Sequence, residues 1–194
     1  GSTGVYINGT LVMVAGGGGG GDNSADANGY GGSDVVNGDS GTSSNNTEGL
    51  GGISGNGGAS NNRSGAGGGI LTAGENGTQA TGGSASDPTN YTLANGGNGT
   101  GNGGRGLTGG GAGANSYSGA GAGYSGGGAA GANGSAGGGG SFVNTSFAKY
   151  FQHTITAGSD GANSGGTQLD GANGSVIITE VPSTDTDGDT IIDY

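Results

Sequence analysis

The chain has 194 residues, 58 of them glycine, with 28% hydrophobic and 9% charged residues and a formal charge of −11. With Arg63, Arg105 and Lys149 as the only fixed cations, binding to phosphate backbones or anionic lipid is disfavoured, so nucleic acid is not an expected partner. The absence of cysteine excludes a disulfide framework and a thiolate metal site. No run approaches the ~20 apolar residues of a membrane span. No signal peptide precedes Gly1, and the start reads as a processed or truncated end.

Residues Val5 to Ala15 read VYINGTLVMVA, two β-rich runs around Asn8-Gly9. That dipeptide favours a two-residue type I′ turn, so a hairpin is expected over 5–15.

Residues 16–140 are rich in Gly, Ala, Ser and Asn, with apolar islands such as Val35-Val36, GILTA at Gly69 to Ala73 and NYTLA at Asn90 to Ala94. No helical period runs through them. Collagen is excluded, because the Gly-X-Y phase is not sustained and the prolines are Pro88 and Pro182 alone. Composition by itself points to disorder. Fixing so much glycine is entropically costly and side-chain burial is scarce, so an ordered form must rest on dense backbone hydrogen bonding. Gly128, Gly131, Gly134, Gly137 and Gly140 step by three, which in a three-residue-per-turn helix lines one edge with glycine and lets a second backbone approach. The run Gly16 to Gly21 would make two such turns. A bundle of polyglycine-II helices is therefore expected over 16–140, turned by pairs such as Asn28-Gly29, Asn56-Gly57, Asn76-Gly77 and Asn133-Gly134. A Cβ at Gly18 is expected to separate two packed backbones.

Residues 141–181 regain β-formers in SFVNTSF, YFQHTITA and SVIITEV. The last run, Ser175 to Val181, is expected to be a core strand that pairs with the opening hairpin and closes a domain spanning 1–181. The expected fold class is mainly β with irregular structure: packed polyglycine-II helices joined to a small antiparallel sheet or sandwich, with little or no α-helix.

The succession TLVMVAGGGGGG, then GAGYSGGGAAGANGSAGGGGSFVN at Gly121 to Asn144, then DGANGSVIITEV at Asp170 to Val181, resembles the glycine-rich domain family. That family occurs in bacterial surface proteins and in the extracellular parts of anaplastic lymphoma kinase and leukocyte tyrosine kinase. The resemblance covers most of Thr10 to Val181 and rests most specifically on GGGGSFVN and NGSVIIT. It implies packed polyglycine-II helices beside or inside a small β-sandwich, used outside the cell as a rigid recognition or structural module. Phage tail-fibre tip adhesins use a similar packing to present loops. No binding residues carry over, and the first portion of the sandwich has no counterpart before Gly1.

The tail, residues 182–194, contains STDTDGDTIIDY and resembles a thrombospondin type 3 repeat or a bacterial surface-protein linker. Asp185, Asp187 and Asp189 alternate and Asp193 follows at the ninth position, a spacing that gathers hard oxygen ligands around Ca²⁺. These four are the candidate metal ligands, and calcium the candidate cofactor. Gly188 stands fourth and Thr190 sixth, unlike an EF-hand, so a weak extracellular site or an acidic solubilising linker are both compatible with the motif. Asn-x-Ser/Thr triplets at Asn8, Asn45, Asn62, Asn76, Asn90, Asn98, Asn133, Asn144 and Asn173 follow from composition as readily as from glycosylation.

Catalytic features are sparse. His153 is the single histidine and reads as a strand residue. GNGGRG at Gly101 to Gly106 satisfies a dinucleotide fingerprint without the strand and helix that give it meaning. Asp22, Asp26, Asp34, Asp39 and Glu48 show no spacing suited to acid/base work. The chain reads as a non-enzyme located outside the cell or on its surface. Two functions fit: a subunit of a surface filament or layer that associates with other copies, or an adhesin that binds a cell-surface protein or glycan through loops carrying Tyr30, Tyr91, Tyr117 and Tyr124. Ice binding, a third class, would need a repeated Thr or Ala ladder, which is absent.

Overall fold

A computed structural model describes residues 1–21, 28–44, 47–87, 92–115, 117–148, 154–156 and 171–177. Its regular elements are few: β1 (Thr3–Ile7), β2 (Thr10–Ala15), β3 (Phe142–Val143) and the one-turn helix α1 (Thr145–Ala148). They form a three-stranded antiparallel sheet in the order β1-β2-β3.

The hairpin forms as its turn residues dictate. Asn8 and Gly9 both take positive φ, 48° and 78°, which the paired strands need to keep their twist. The register runs from Thr3 opposite Ala15 to Ile7 opposite Thr10, shifting between Val5 and Tyr6 so that Val12 is the extra residue of a bulge. Val12 is fully buried there, and its carbonyl accepts the Asn144 N–H at 2.8 Å. Asn144 then starts α1, its side-chain oxygen accepting the Ser146 N–H at 3.0 Å.

Beyond Ala15 the backbone leaves the sheet and enters a network in which hydrogen-bond partners recur every three residues. From Gly126 to Gly131, six consecutive N–H groups donate in turn to Asn56, Gly121, Asp39, Ala59, Ser118 and Thr42. Three neighbouring segments thus take every third bond, two running parallel to the donor and one antiparallel. Gly109 to Ala114 repeat the pattern, donating to Ser84, Gly104, Ala120, Thr81, Gly101 and Tyr117. A flat β-strand alternates between two sides and cannot do this. The opening glycine run belongs to the same network: Gly17, Gly18, Gly19 and Gly20 donate to Ala122, Ala172, Tyr30 and Gly119 at 2.7–3.0 Å. It is packed backbone, and no part of it from Gly16 to Gly21 is exposed.

The three-residue glycine step has a direct structural meaning. A Cβ built at Gly140, Gly137 or Gly134 would overlap the carbonyl of Val36, Asp39 or Thr42 respectively. Both segments advance by three in opposite directions, so the two backbones touch along their whole contact. Alanine replaces glycine only where a methyl has room, and the interior is correspondingly small: among the described residues, apart from Val12 and Val14, the buried hydrophobic residues are alanines such as Ala66, Ala112, Ala122, Ala129 and Ala136.

Two sequence expectations are corrected. Residues 175–177 form no strand and Ile177 is 87% exposed, so the strand that closes the sheet is Phe142–Val143; the remainder of the run, 178–181, lies outside the described residues. The start and the late chain do meet, through Gly174 N–H to Gly1 O at 3.3 Å and the Thr3 hydroxyl to Gly174 O, in single bonds and not as a ladder. At Gly18 a Cβ would lie 3.2 Å from Tyr30 O and 3.3 Å from Ala172 N, so it would press the neighbouring backbones by a few tenths of an ångström without overlapping them. Gly16, Gly17 and Gly19 are the positions where it would overlap a carbonyl.

Candidate functional site

Because the segments alternate in direction, their turns collect at two ends. One end carries the turns near Ser44, Asn62, Gln79, Asn98, Asn115 and Ala132, and its contacts are polar. Asn61 donates through Nδ2 to Ala130 O while its Oδ1 accepts the N–H and hydroxyl of Ser64. Asn115 Nδ2 donates to Gln79 Oε1 at 3.1 Å. Asn62, Asn115 and Asn133 hold positive φ there, which asparagine tolerates better than most side chains. Arg63 lies over the Tyr117 ring, 4.8 Å from its centroid.

The opposite end adjoins the sheet and is apolar. Ser54 N–H donates to Asn37 Oδ1 at 3.3 Å, Leu71 N–H to Gly55 O at 2.8 Å, and Ile70 N–H to Tyr124 O at 2.8 Å. These bonds join the tips at 34–37, 53–55, 70–72 and 124–125 into one surface. On it Val35, Ile53 and Leu71 are 56%, 61% and 66% exposed, and Val36 is exposed as well. Ser54 and Gly55 both take positive φ, so the Ile53 turn is as tight as the hairpin's. Tyr124 stacks on Phe142, with centroids 4.3 Å apart and planes at 16°, tying this end to β3.

Hydrophobicity is therefore inverted relative to an ordinary domain. Alanine and glycine fill the interior, while large aliphatic side chains stand on the surface. The acidic pair Asp34 and Asp39 borders the apolar end. Burial holds the Asp39 carboxyl above the ordinary aspartate range; the Ser33 hydrogen bond opposes this and the nearby Asp34 charge adds to it.

The candidate calcium ligands Asp185, Asp187, Asp189 and Asp193 lie outside the described residues, as do Tyr91, His153, Asp22 and Asp26. Among the described residues no three His, Cys, Asp or Glu side chains gather to hold a metal, and Glu48 buries one carboxylate oxygen without a hydrogen-bond partner. The described tyrosines are not brought together: Tyr117 and Tyr124 cap opposite ends, so they cannot belong to one recognition loop. Gly101 to Gly106 are lattice backbone, bonded to Gly113, Gly97 and Ala94, with no helix after them. No helix among the described residues is long and apolar enough to cross a membrane.

Sequence reasoning missed a signal for the apolar end. Val36, Ile53 and Ile70 stand 17 apart (36, 53, 70), as do Leu107 and Tyr124. Asn62 and Gln79 repeat the same interval at the polar end, as do Asn98, Asn115 and Ala132. Each interval is one passage out and back, so the glycine region is an internal repeat. No protein-family model matches the chain, and no curated protein or solved structure matches it. The class defined by fold and surface is a glycine-backbone scaffold with one polar and one apolar end.

Proposed function

We propose that this chain is a non-enzymatic extracellular structural protein, a subunit of a surface filament or layer, built as a bundle of polyglycine-II-type helices on a small sheet. The three-residue recurrence of hydrogen-bond partners supports the helix type, since polyglycine II turns once in three residues and bonds only to its neighbours. The observation that carries the function is the inverted hydrophobicity: Val35, Val36, Ile53 and Leu71 are presented together on a rigid body whose own core has no use for them. Joining the apolar ends of two copies would bury that surface in an isologous pair, and a filament or layer needs a second contact between such pairs. The Asp34 and Asp39 charges oppose such contact, and calcium at the acidic tail of residues 182–194 would lower the net repulsion.

A second reading is an adhesin whose apolar loop end contacts a cell-surface protein or glycan. It is favoured by confinement of these side chains to one end of the bundle. Negative-stain microscopy and sedimentation with and without Ca²⁺ separate the two. Regular polymers, or at least concentration-dependent dimers, are expected for the structural protein; a monomer at all concentrations and both Ca²⁺ conditions contradicts it.

A further inference from the structure

Asn-Gly occurs ten times in the chain, and it is the dipeptide in which a backbone most readily attacks its own side chain. The glycine nitrogen follows directly on the asparagine, and no Cβ hinders its approach to the asparagine Cγ. The attack needs a free glycine N–H and a peptide plane that can rotate. In this fold the lattice controls both.

Inside the lattice the N–H is held. Gly38, Gly57, Gly77 and Gly103 donate to Gly52 O, Thr72 Oγ1, Ala80 O and Gly97 O at 2.9–3.0 Å. Gly99, Gly134 and Gly174 donate over 3.2–3.3 Å. The Gly96 N–H has no acceptor among the described residues, yet its peptide is pinned: Asn95 O accepts the Ser84 N–H at 2.9 Å, and a Cβ at Gly96 would overlap the Gly103 carbonyl. Asn8-Gly9 differs in both respects. It stands at the tip of the hairpin, outside the lattice, with both residues exposed and the Gly9 N–H donating to no acceptor among the described residues. The positive φ of both residues belongs to a turn that pairs its flanking residues, Ile7 and Thr10, and spends no bond on the N–H between them.

We propose that Asn8 is a self-modification site, converted to aspartate and isoaspartate by the Gly9 backbone and water alone. The Gly9 nitrogen gives its proton to hydroxide and bonds to Asn8 Cγ. The Cγ–Nδ2 bond breaks, and the side-chain nitrogen takes a proton from water and leaves as ammonia, closing a five-membered imide. Water then opens one of the two imide C–N bonds: opening at Cγ leaves aspartate, and opening at the Asn8 backbone carbonyl leaves isoaspartate. Nothing is oxidised or reduced. Either product adds a negative charge to a chain already at −11, beside the exposed Ile7. Isoaspartate also lengthens the two-residue turn by one backbone atom, which loosens the register that carries Val12 and Val14 into the interior.

The test incubates the full chain at mildly alkaline pH, folded and in urea, and follows each Asn-Gly pair by peptide mass mapping, with isoaspartyl methyltransferase labelling to count the isomer. In the folded chain Asn8 should lose its amide at least about tenfold faster than Asn37, Asn56, Asn76 and Asn102, whose reaction must wait for local opening of the lattice. The Asn8 rate should rise with pH, and in urea the five sites should react at similar rates. Equal rates in the folded chain, or an Asn8 that keeps its amide while the unfolded sites lose theirs, overturns the proposal. A difference that persists unchanged in urea overturns it too, because neighbouring sequence and not the fold would then set the rate.

Discussion

Gly137 lies against the carbonyl of Asp39 so closely that a Cβ would overlap its oxygen, while the Asp39 N–H donates to Gly138 O and the Gly128 N–H to Asp39 O, both at 2.9 Å. Neither backbone can retreat without breaking bonds to a third. Gly137→Ala should therefore cost more than about 2 kcal/mol, at the upper part of the range for overpacking. Gly18→Ala, with its nearest contacts at 3.2 and 3.3 Å, should cost about 1 kcal/mol or less. Urea melts of the two variants check the ranking, and equal losses would mean that carbonyl overlap is not what selects glycine.

Tyr124 and Tyr117 stabilise opposite ends. Removing the Tyr124–Phe142 stack should lose about 0.5–1.5 kcal/mol beyond the buried area, and Tyr117→Ala should release Arg63 at a smaller cost. The double variant should show additive losses, since the two rings cap opposite ends of the bundle. Coupling between them in a denaturant double-mutant cycle would place them closer than this fold does.

Asp39 predicts a pH dependence. Its folded pKa is raised, chiefly by burial, so its ionised form disfavours the folded state. This destabilisation is present above the folded pKa and disappears as pH falls below the unfolded aspartate range. Asp39→Asn should accordingly raise the melting temperature at pH 7 and lose that advantage at pH 3. An advantage that is equal at both pH values would assign the gain to something other than ionisation.

The apolar end predicts an assembly phenotype. Ile53→Asp and Leu71→Asp alter side chains 61% and 66% exposed, so melting temperatures should move little, while self-association should weaken at least tenfold by sedimentation. Unchanged self-association would move the interface elsewhere.

Much of this was legible in the residues. Asn8-Gly9 announced the hairpin, while the glycine step from 128 to 140 held along one backbone only for Gly134, Gly137 and Gly140, because the chain turns at Ala132-Asn133 and Gly128 and Gly131 face Gly49 and Ser43 instead. The partner of those three, Val36 to Thr42, was not legible, because a glycine edge accepts any extended backbone and carries no side-chain code for its neighbour. The Ser175 to Ile177 run was misread as a strand because β-propensity describes a residue's fit to a pleated surface and says nothing of whether a sheet edge is within reach. The apolar end was readable only as a 17-residue repeat of single side chains, which the surrounding glycine hides from helix and strand periodicities. Asp34 and Asp39 looked scattered because their relation is made by the turn between them.

Hydrogen exchange resolved by residue, across Gly126 to Gly131, tests the central claim that glycine backbone is the core. Those six consecutive N–H groups each donate to a different acceptor among three surrounding segments, so all six should exchange orders of magnitude slower than an unstructured chain. Protection at alternate residues only would indicate an ordinary strand, and exchange at unprotected rates throughout would contradict the lattice itself.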